Sequence, residues 1–303
     1  MEYVLRANAL TKTYGKHRAL NGFSMNVPKG AIYGFVGKNG AGKTTLIRLV
    51  CGLQIPTEGD YSIYGVHYKE KEIVKSSRRV GALEETPSIY SELTAEDNLK
   101  EQYRILGLPS FDGIEDILKL VGLGDTGRKK VKNFSMGMKQ RLGIAISLMR
   151  NPDFLILDEP MNGLDPAGIR EIRELLQKLN REKQITILIS SHILDELARV
   201  ATHYGIIRDG KLIEEFGAAD LEERCRRCLK LVVGQPEQAA KVLEEELAIQ
   251  NYDVPESGIL RVFEGLEDTA RINGTLAKNG ISLREIYISG QDLEGYFMEL
   301  VGK

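Results

Sequence analysis

The chain has 303 residues, enough for about two domains at roughly 150 residues each. Its 41 Lys and Arg against 43 Asp and Glu leave a net charge of −2, which argues against a broadly basic nucleic-acid binder, though not against a local basic patch. A hydrophobic share of 42% and a charged share of 28% suit a globular chain with a sizeable core and exclude global disorder.

Three cysteines, Cys51, Cys225 and Cys228, cannot build a disulfide framework, because one is left over in any pairing. A reducing compartment is the simplest reading. The longest apolar runs, such as 185–189, fall far short of the ~18 residues of a membrane span. The opening Met1-Glu2-Tyr3-Val4-Leu5-Arg6 lacks the basic-then-apolar pattern of a secretory signal. The expectation is a cytoplasmic protein whose membrane role runs through a partner.

Short β-type runs come first: Phe23 to Val27, Ala31 to Val36 and Tyr61 to Tyr64. Between the last two, Thr44 to Cys51 reads as a helix stopped by Gly52. Residues 93–150 read as mostly helical, opened by a capping pair, Thr94 and Asp97. Ile114, Ile117, Leu118 and Val121 form one apolar stripe there, and Leu142, Ile144, Ala145 and Leu148 another. Phe154 to Leu157 and Ile185 to Ile189 are apolar at almost every residue, as in strands of a parallel sheet covered on both faces. A helix near 167–181 supplies the crossover. Asp209-Gly210 reads as a hairpin turn. Beyond about 218 the pattern changes to Leu229–Val233, Ile259–Phe263 and Ser282–Ile288 as strands with helices between them. A last helix places Leu293, Tyr296, Phe297, Leu300 and Val301 on one face, and the whole reads as a separate α+β domain of about 80 residues.

Gly37-Lys38-Asn39-Gly40-Ala41-Gly42-Lys43-Thr44 matches G-x-x-x-x-G-K-[ST], with a strand before it and a helix after it. Glycines let backbone amides converge on phosphate oxygens, and the helix points its positive end at the same anion. Lys43 adds a cation for the β- and γ-phosphates, and the Thr44 hydroxyl is suited to Mg²⁺. Asp158 and Glu159 end a buried strand, where ligands of open α/β sheets sit. Asp158 suits Mg²⁺, and Glu159 suits polarising an attacking water. The chain is therefore expected to bind a nucleoside triphosphate.

Asn133-Phe134-Ser135-Met136-Gly137-Met138-Lys139-Gln140-Arg141 lies just upstream, with Ser135 and Asp158 23 residues apart. With that segment the sequence resembles the ATP-binding-cassette (ABC) ATPases and their LSGGQ-type signature. Tyr14, 23 residues before Gly37, stands where that family has an adenine-stacking aromatic. Gly163-Leu164-Asp165-Pro166 resembles its D-loop, and Ser190-Ser191-His192 its switch histidine. The likeness covers residues 3–217.

The resemblance implies an α/β P-loop cassette over 1–218: a RecA-like, mostly parallel sheet, an antiparallel β subdomain and a helical subdomain at about 93–150, followed by a small α+β accessory domain over 219–303. It implies ATP and Mg²⁺ as cofactors and catalysis by Glu159 with His192. It implies nucleotide contacts from Tyr14, from the loop residues Gly37 to Thr44 with Thr45, and from Glu85. Ser135, Gly137 and Asp165 would act on the nucleotide of an opposite subunit, in a head-to-tail homodimer or paired cassette. Two departures stand out. Met136 and Met138 replace the common Gly and Gln, a variant resembling ABC exporters of the bacitracin and lantibiotic self-protection type. Glu85 occupies the position of a usual glutamine.

With no span of its own, such a cassette works with integral membrane permease subunits, which places it peripherally on the inner face of the membrane. Ile89, Tyr90 and Leu93 either meet a permease or pack in the core. The rival is a soluble ABC ATPase acting on ribosomes or DNA; one cassette, no sustained heptads and a near-zero charge leave nucleic acid unexpected as a partner. His17, His67 and His203 read as ordinary packed histidines, and Cys225-x-x-Cys228 as surface thiols.

Overall fold

The computed structural model describes residues 2–290, 295, 296 and 300. In chain order its first elements are β1 (Tyr3–Tyr14), β2 (His17–Pro28), β3 (Ile32–Val36), α1 (Lys43–Val50), β4 (Glu58–Ile63), β5 (Val66–His67), α2 (Ile73–Ser77), β6 (Val80–Leu83), α3 (Ala95–Leu106), α4 (Ile114–Leu120), α5 (Met136–Leu148), β7 (Phe154–Asp158), α6 (Pro166–Lys183), β8 (Thr186–Ser191), α7 (Leu194–Ala198), β9 (His203–Arg208) and β10 (Lys211–Gly217). Then come α8 (Ala218–Cys225), β11 (Cys228–Val233), α9 (Pro236–Leu247), β12 (Tyr252–Glu256), β13 (Ile259–Val262), α10 (Thr269–Lys278) and β14 (Leu283–Ser289). The chain divides into two compact units, one over 1–218 that Leu300 also joins and one that begins at Ala219.

In the first unit a six-stranded sheet runs β10-β9-β3-β8-β7-β6. All its pairs are parallel except β9 with β10. Strands β3, β7 and β8 are buried at every residue, which is why their sequences are apolar or small up to the terminal Asp158 of β7. A separate antiparallel sheet runs β2-β1-β4-β5. Helix α1 sends Leu46, Ile47, Leu49 and Val50 into a core shared with Phe23 and Met25 of β2 and Phe154 and Ile156 of β7. Burial of these side chains, at ~1.5–3 kcal/mol for each large one, seats the helix.

The middle segment is helical, as its stripes indicate. Thr94 caps α3, accepting from Asp97 N at 3.1 Å and donating to Asp97 Oδ2 at 2.7 Å. Buried Asn98 clasps the preceding loop: it accepts from Tyr90 N at 2.7 Å and donates to Tyr90 O and Thr94 O at 3.0 and 2.8 Å. Between these anchors Ile89 and Leu93 are half-buried and Tyr90 is exposed. Core packing thus holds in part for Ile89 and Leu93 and not for Tyr90.

The sequence reading lacks four strands, one of them the two-residue β5. β1 carries Ala9 at φ 45° and several register shifts against β2, so its apolar residues lose the period of two. β6 has four residues, among them Gly81, where a Cβ would stand 2.3 Å from Ser147 O. β12 contains Pro255, which a sheet tolerates at its edge, and β12 is an edge strand.

The second unit follows the order β11-α9-β12-β13-α10-β14, with an antiparallel sheet β12-β13-β11-β14. This is the split βαβ, or ferredoxin-like, arrangement. Leu229, Leu231, Leu260 and Val262 of the sheet pack with Ala239 and Leu243 of α9 and Ile272 and Leu276 of α10. Cys228 is buried and Cys225 half-buried, so they are not the surface thiols expected. Position 228 opens β11 inside the sheet, paired with Ser289. The terminal amphipathic helix lies largely outside the described residues. Among the described residues no helix is long and apolar enough to cross a membrane.

One polar triad ties the two sheets of the first unit together. Tyr64, which follows β4, donates to Asp153, which precedes β7. Arg79 donates to the same carboxylate, with Nε at 3.1 Å, and its guanidinium carbon lies 3.8 Å from the centre of the Tyr64 ring. Burial pushes the Asp153 carboxyl up, but the Arg79 and Tyr64 hydrogen bonds outweigh it and hold it below its ordinary value. A carboxyl depressed in the folded state adds stability above its unfolded value of about 3.9, and loses it as pH falls through the folded value. Asp153→Ala should therefore lower stability by about 1 kcal/mol near neutral pH, a figure discounted for half-exposure. Urea titrations should show that difference shrinking below pH ~4.

Candidate functional site

Three strand ends meet here. β3 leads into the glycine loop and α1, β7 delivers Asp158 and Glu159, and β8 delivers Ser190, Ser191 and His192. Neighbours bind the loop from both sides: Gly37 N donates to Ser191 O at 3.2 Å, and Gly210 N donates to Ala41 O at 3.0 Å. The second bond comes from the β9–β10 turn, where Asp209 and Gly210 both have positive φ, as the Asp-Gly pair indicates. Gly42 caps α1 with φ 114°, and no side chain caps the amides behind it. A Cβ there would stand 2.6 Å from Ala19 O. That leaves a concave set of amides at a helix N-terminus, the geometry that receives phosphate.

Lys43 is buried. Its Nζ donates to Gly37 O at 2.6 Å and Lys38 O at 3.3 Å, and lies 3.1 Å from Glu159 Oε1. The contact with Glu159 is ionic, since that buried oxygen accepts no hydrogen bond. The other Glu159 oxygen, Oε2, is 2.8 Å from His192 Nδ1. Glu159 itself has φ 49°, a left-handed backbone rare outside glycine and asparagine. Thr44 Oγ1 donates to Asp158 Oδ2 at 2.7 Å. Ser190 Oγ donates to Asp158 Oδ1 at 2.5 Å and accepts from Glu159 N at 2.8 Å. One hydroxyl thus orients both acids.

Tyr14, Asn39, Gly40, Gly42, Lys43, Thr44, Thr45, Glu85 and Glu159 line one cleft of about 450 Å³. Tyr14 is exposed at one end and donates to Gln54. Asp158 lies behind Thr44, and His192 behind Glu159. Ser135 and Asp165 are exposed and do not line the cleft. In their own chain they are helix caps: Ser135 accepts from Met138 N at 3.2 Å, and Asp165 from Gly168 N at 3.1 Å. Gly137 lies beside them, 3.9 Å from Gly168 Cα measured from where a Cβ would be, and the Met136 thioether covers Gly163.

Three residues of the site were missed. His17 is exposed and lines the cleft, contrary to its reading as a packed histidine; His67 and His203 are half-buried. Its place three residues after Tyr14, across the β1–β2 turn, was the available signal. Asn162 lines the cleft and donates to Glu85 Oε1 at 2.8 Å. Ser190 was read only as part of a motif.

Thr44 and Asp158 make a hydroxyl–carboxylate pair of the kind Mg²⁺ takes when phosphate and water supply its other ligands. Among the described residues no cluster of three His, Cys, Asp or Glu is placed to cage a metal.

Residues 20–162 match the family model described as ABC transporter. The chain is 42% identical over its full length to the bacitracin transport ATP-binding protein BcrA of Bacillus licheniformis, covering 98% of that protein. This chain belongs to the ABC transporter ATP-binding proteins. It is 44% identical to the lantibiotic transport ATP-binding protein SrtF of Streptococcus pyogenes, over 73% of this chain and 95% of that one. The ADP form of the cassette MJ1267 superposes with a TM-score of 0.65 at 26% identity, covering 72% of this chain and 91% of that one. A dimeric post-hydrolysis cassette, MJ0796 with ADP and phosphate, gives 0.63 at 25% identity, covering 71% and 98%. The ABC cassette fold and the ATPase assignment follow.

Two outcomes test this geometry. Ser190→Ala should cut the rate of phosphate release about 10–100-fold and raise the Mg²⁺ concentration needed for half the maximal rate, as loss of a supporting hydrogen bond does elsewhere. Gly42→Ala should abolish ATP binding or unfold the loop. Gly40→Ala, whose φ is also positive but whose Cβ would meet nothing within 4 Å, should cost about 1–2 kcal/mol in thermal unfolding and keep measurable binding.

Proposed function

We propose that this chain is the ATPase subunit of an exporter whose permeases are separate membrane proteins, with cargo of the peptide-antibiotic class. Likeness to bacitracin and lantibiotic transport subunits over 73 to 100% of the chain supports the cargo class. The observation that carries the catalytic reading is Glu159 held between Lys43 and His192, at 3.1 and 2.8 Å.

Tyr14 stacks on the adenine of ATP, and the amides of residues 37–45 cradle its phosphates. Thr44 and Asp158 hold Mg²⁺, which when bound neutralises phosphate charge. Lys43 turns from Glu159 to the β- and γ-phosphates. Glu159 accepts a proton from water as the water oxygen bonds to the γ-phosphorus. The bond from that phosphorus to the bridging oxygen breaks, and ADP leaves with the electron pair. Glu159 orients His192 through Nδ1, which leaves Nε2 for the γ-phosphate.

Ser135, Gly137 and Asp165 serve the nucleotide of an opposite cassette in a head-to-tail pair. The exposure of Ser135 and Asp165, and the place of all three outside their own cleft, support that division. The cassette at 1–218 binds the inner face of the membrane through the permeases, with Tyr90 on the contacting segment. The accessory unit at 219–303 assists dimerisation or regulation. Nucleic acid has no part in this reading.

Glu159→Gln keeps the shape and removes the base. Its ATPase rate should fall by at least about 100-fold. Light scattering should show a stable dimer with MgATP and a monomer without it. A variant that binds MgATP and stays monomeric, alone and with its permease, would overturn the paired-cassette mechanism.

A further inference from the structure

The nucleotide cleft is poor in positive charge. Among the described residues lining it, Lys43 is the one Lys or Arg. That ammonium is already engaged by Glu159 at 3.1 Å. Glu85 also lines the cleft, and Asp158 stands directly behind Thr44. One lining lysine against two lining carboxylates, with Asp158 behind them, leaves the side-chain charge negative where a polyphosphate enters. The loop amides and the α1 terminus attract anions, but they carry only partial charge. Lys38 of the loop is exposed and does not line the cleft. Arg48 is paired with Glu84 at 3.4 Å, and Lys12 lies 5.4 Å from the centre of the Tyr14 ring, at the far end of the cleft. The half-buried Cys51 thiol is raised to about 12, by burial first and then by the Glu84 and Asp158 carboxylates.

Glu85 is held in this position. Asn162 Nδ2 donates to its Oε1 at 2.8 Å. Asn162 N in turn donates to Glu159 O at 3.1 Å, so the loop that carries the catalytic acid also anchors Glu85. On the other side Pro87 fits a notch in α5, where a Cβ on Gly143 would come within 2.8 Å of it. Asn162 is neutral, so its hydrogen bond fixes the carboxylate without cancelling its charge.

We propose that Glu85, positioned by Asn162, makes the cleft select the metal-complexed nucleotide over the free one. The inference rests on the nucleotide reading above and deepens it. Free ATP meets repulsion from Glu85, Asp158 and Glu159 together. The Mg²⁺ complex brings two compensating positive charges with it. The chain would thus bind MgATP in a single encounter and reject the uncomplexed anion, so binding would follow the metal-bound fraction of ATP.

Removing the charge, and separately the group that holds it, tests this. Affinities for ATP in excess Mg²⁺ and in excess EDTA are measured by calorimetry on the full chain, as wild type, Glu85→Gln and Asn162→Ala. The reading is the ratio of the two dissociation constants, metal-free over metal-bound. Glu85→Gln should lower that ratio by at least about tenfold, since a unit charge about 10 Å away at an effective dielectric of about 20 is worth roughly 16-fold for each charge by which the two forms differ, before salt screening. Most of the change should fall in the metal-free constant. Asn162→Ala frees Glu85 and should lower the ratio by less than Glu85→Gln does. A Glu85→Gln ratio within about twofold of wild type, or equal change in both constants, overturns the proposal. If Asn162→Ala fails to fold, Glu85→Gln decides alone. A wild type that binds neither form overturns the nucleotide reading itself, whereas binding with an unmoved ratio overturns only the role of Glu85.

Discussion

A buried ammonium organises this site. Lys43 has 6% of its side chain exposed, and an unpaired charge at such depth costs several kcal/mol. Its compensation comes from far apart in sequence: two loop carbonyls, Gly37 O and Lys38 O, and the carboxylate of Glu159. Each partner sits at the end of a buried strand or in the loop that follows one. The parallel arrangement of β3, β8 and β7 is therefore the condition under which Lys43 can be buried at all. The apolar sequences of those strands build the platform, and the lysine marks where it must end.

The same ends carry the chemistry. Ser190 reaches from β8 to both acids of β7, so sheet register is converted into the spacing between Asp158 and Glu159. Thr44 and Lys43 come from the first turn of α1, which the shared core clamps between the two sheets. The second unit has its own core and shares none of this machinery. All of these side chains belong to the first unit, with the exposed caps Ser135 and Asp165 outside the cleft of their own chain.

Much of this is legible in the residues. The phosphate loop, the acidic pair and the Ser-Ser-His strand end are local in sequence, so spacing suffices to find them. Continuous apolar runs betray β3, β7 and β8 because both faces of those strands are covered. Legibility fails where a residue's role depends on something distant. Asn162 acquires its function only from Glu85, 77 residues away, and Ser190 only from Asp158, 32 residues away. His17 faces the cleft because a turn folds it back beside Tyr14. β1 escapes a period-of-two reading because of Ala9, and β12 because Pro255 is acceptable only at an edge that the sequence does not reveal. Cys228 looks like an exposed thiol beside two arginines, yet pairing with Ser289 places it inside a sheet.

Glu159 combines two demands that pull apart. Its carboxylate is placed between a lysine and a histidine by a backbone at φ 49°, a conformation costing a non-glycine residue about 1–2 kcal/mol. Selection on folding alone would favour glycine or asparagine there. A laboratory evolution campaign that screened this chain for heat tolerance or soluble yield, without an activity filter, would enrich such replacements early. It would arrive at well-behaved protein from which the carboxylate between Lys43 and His192 has gone.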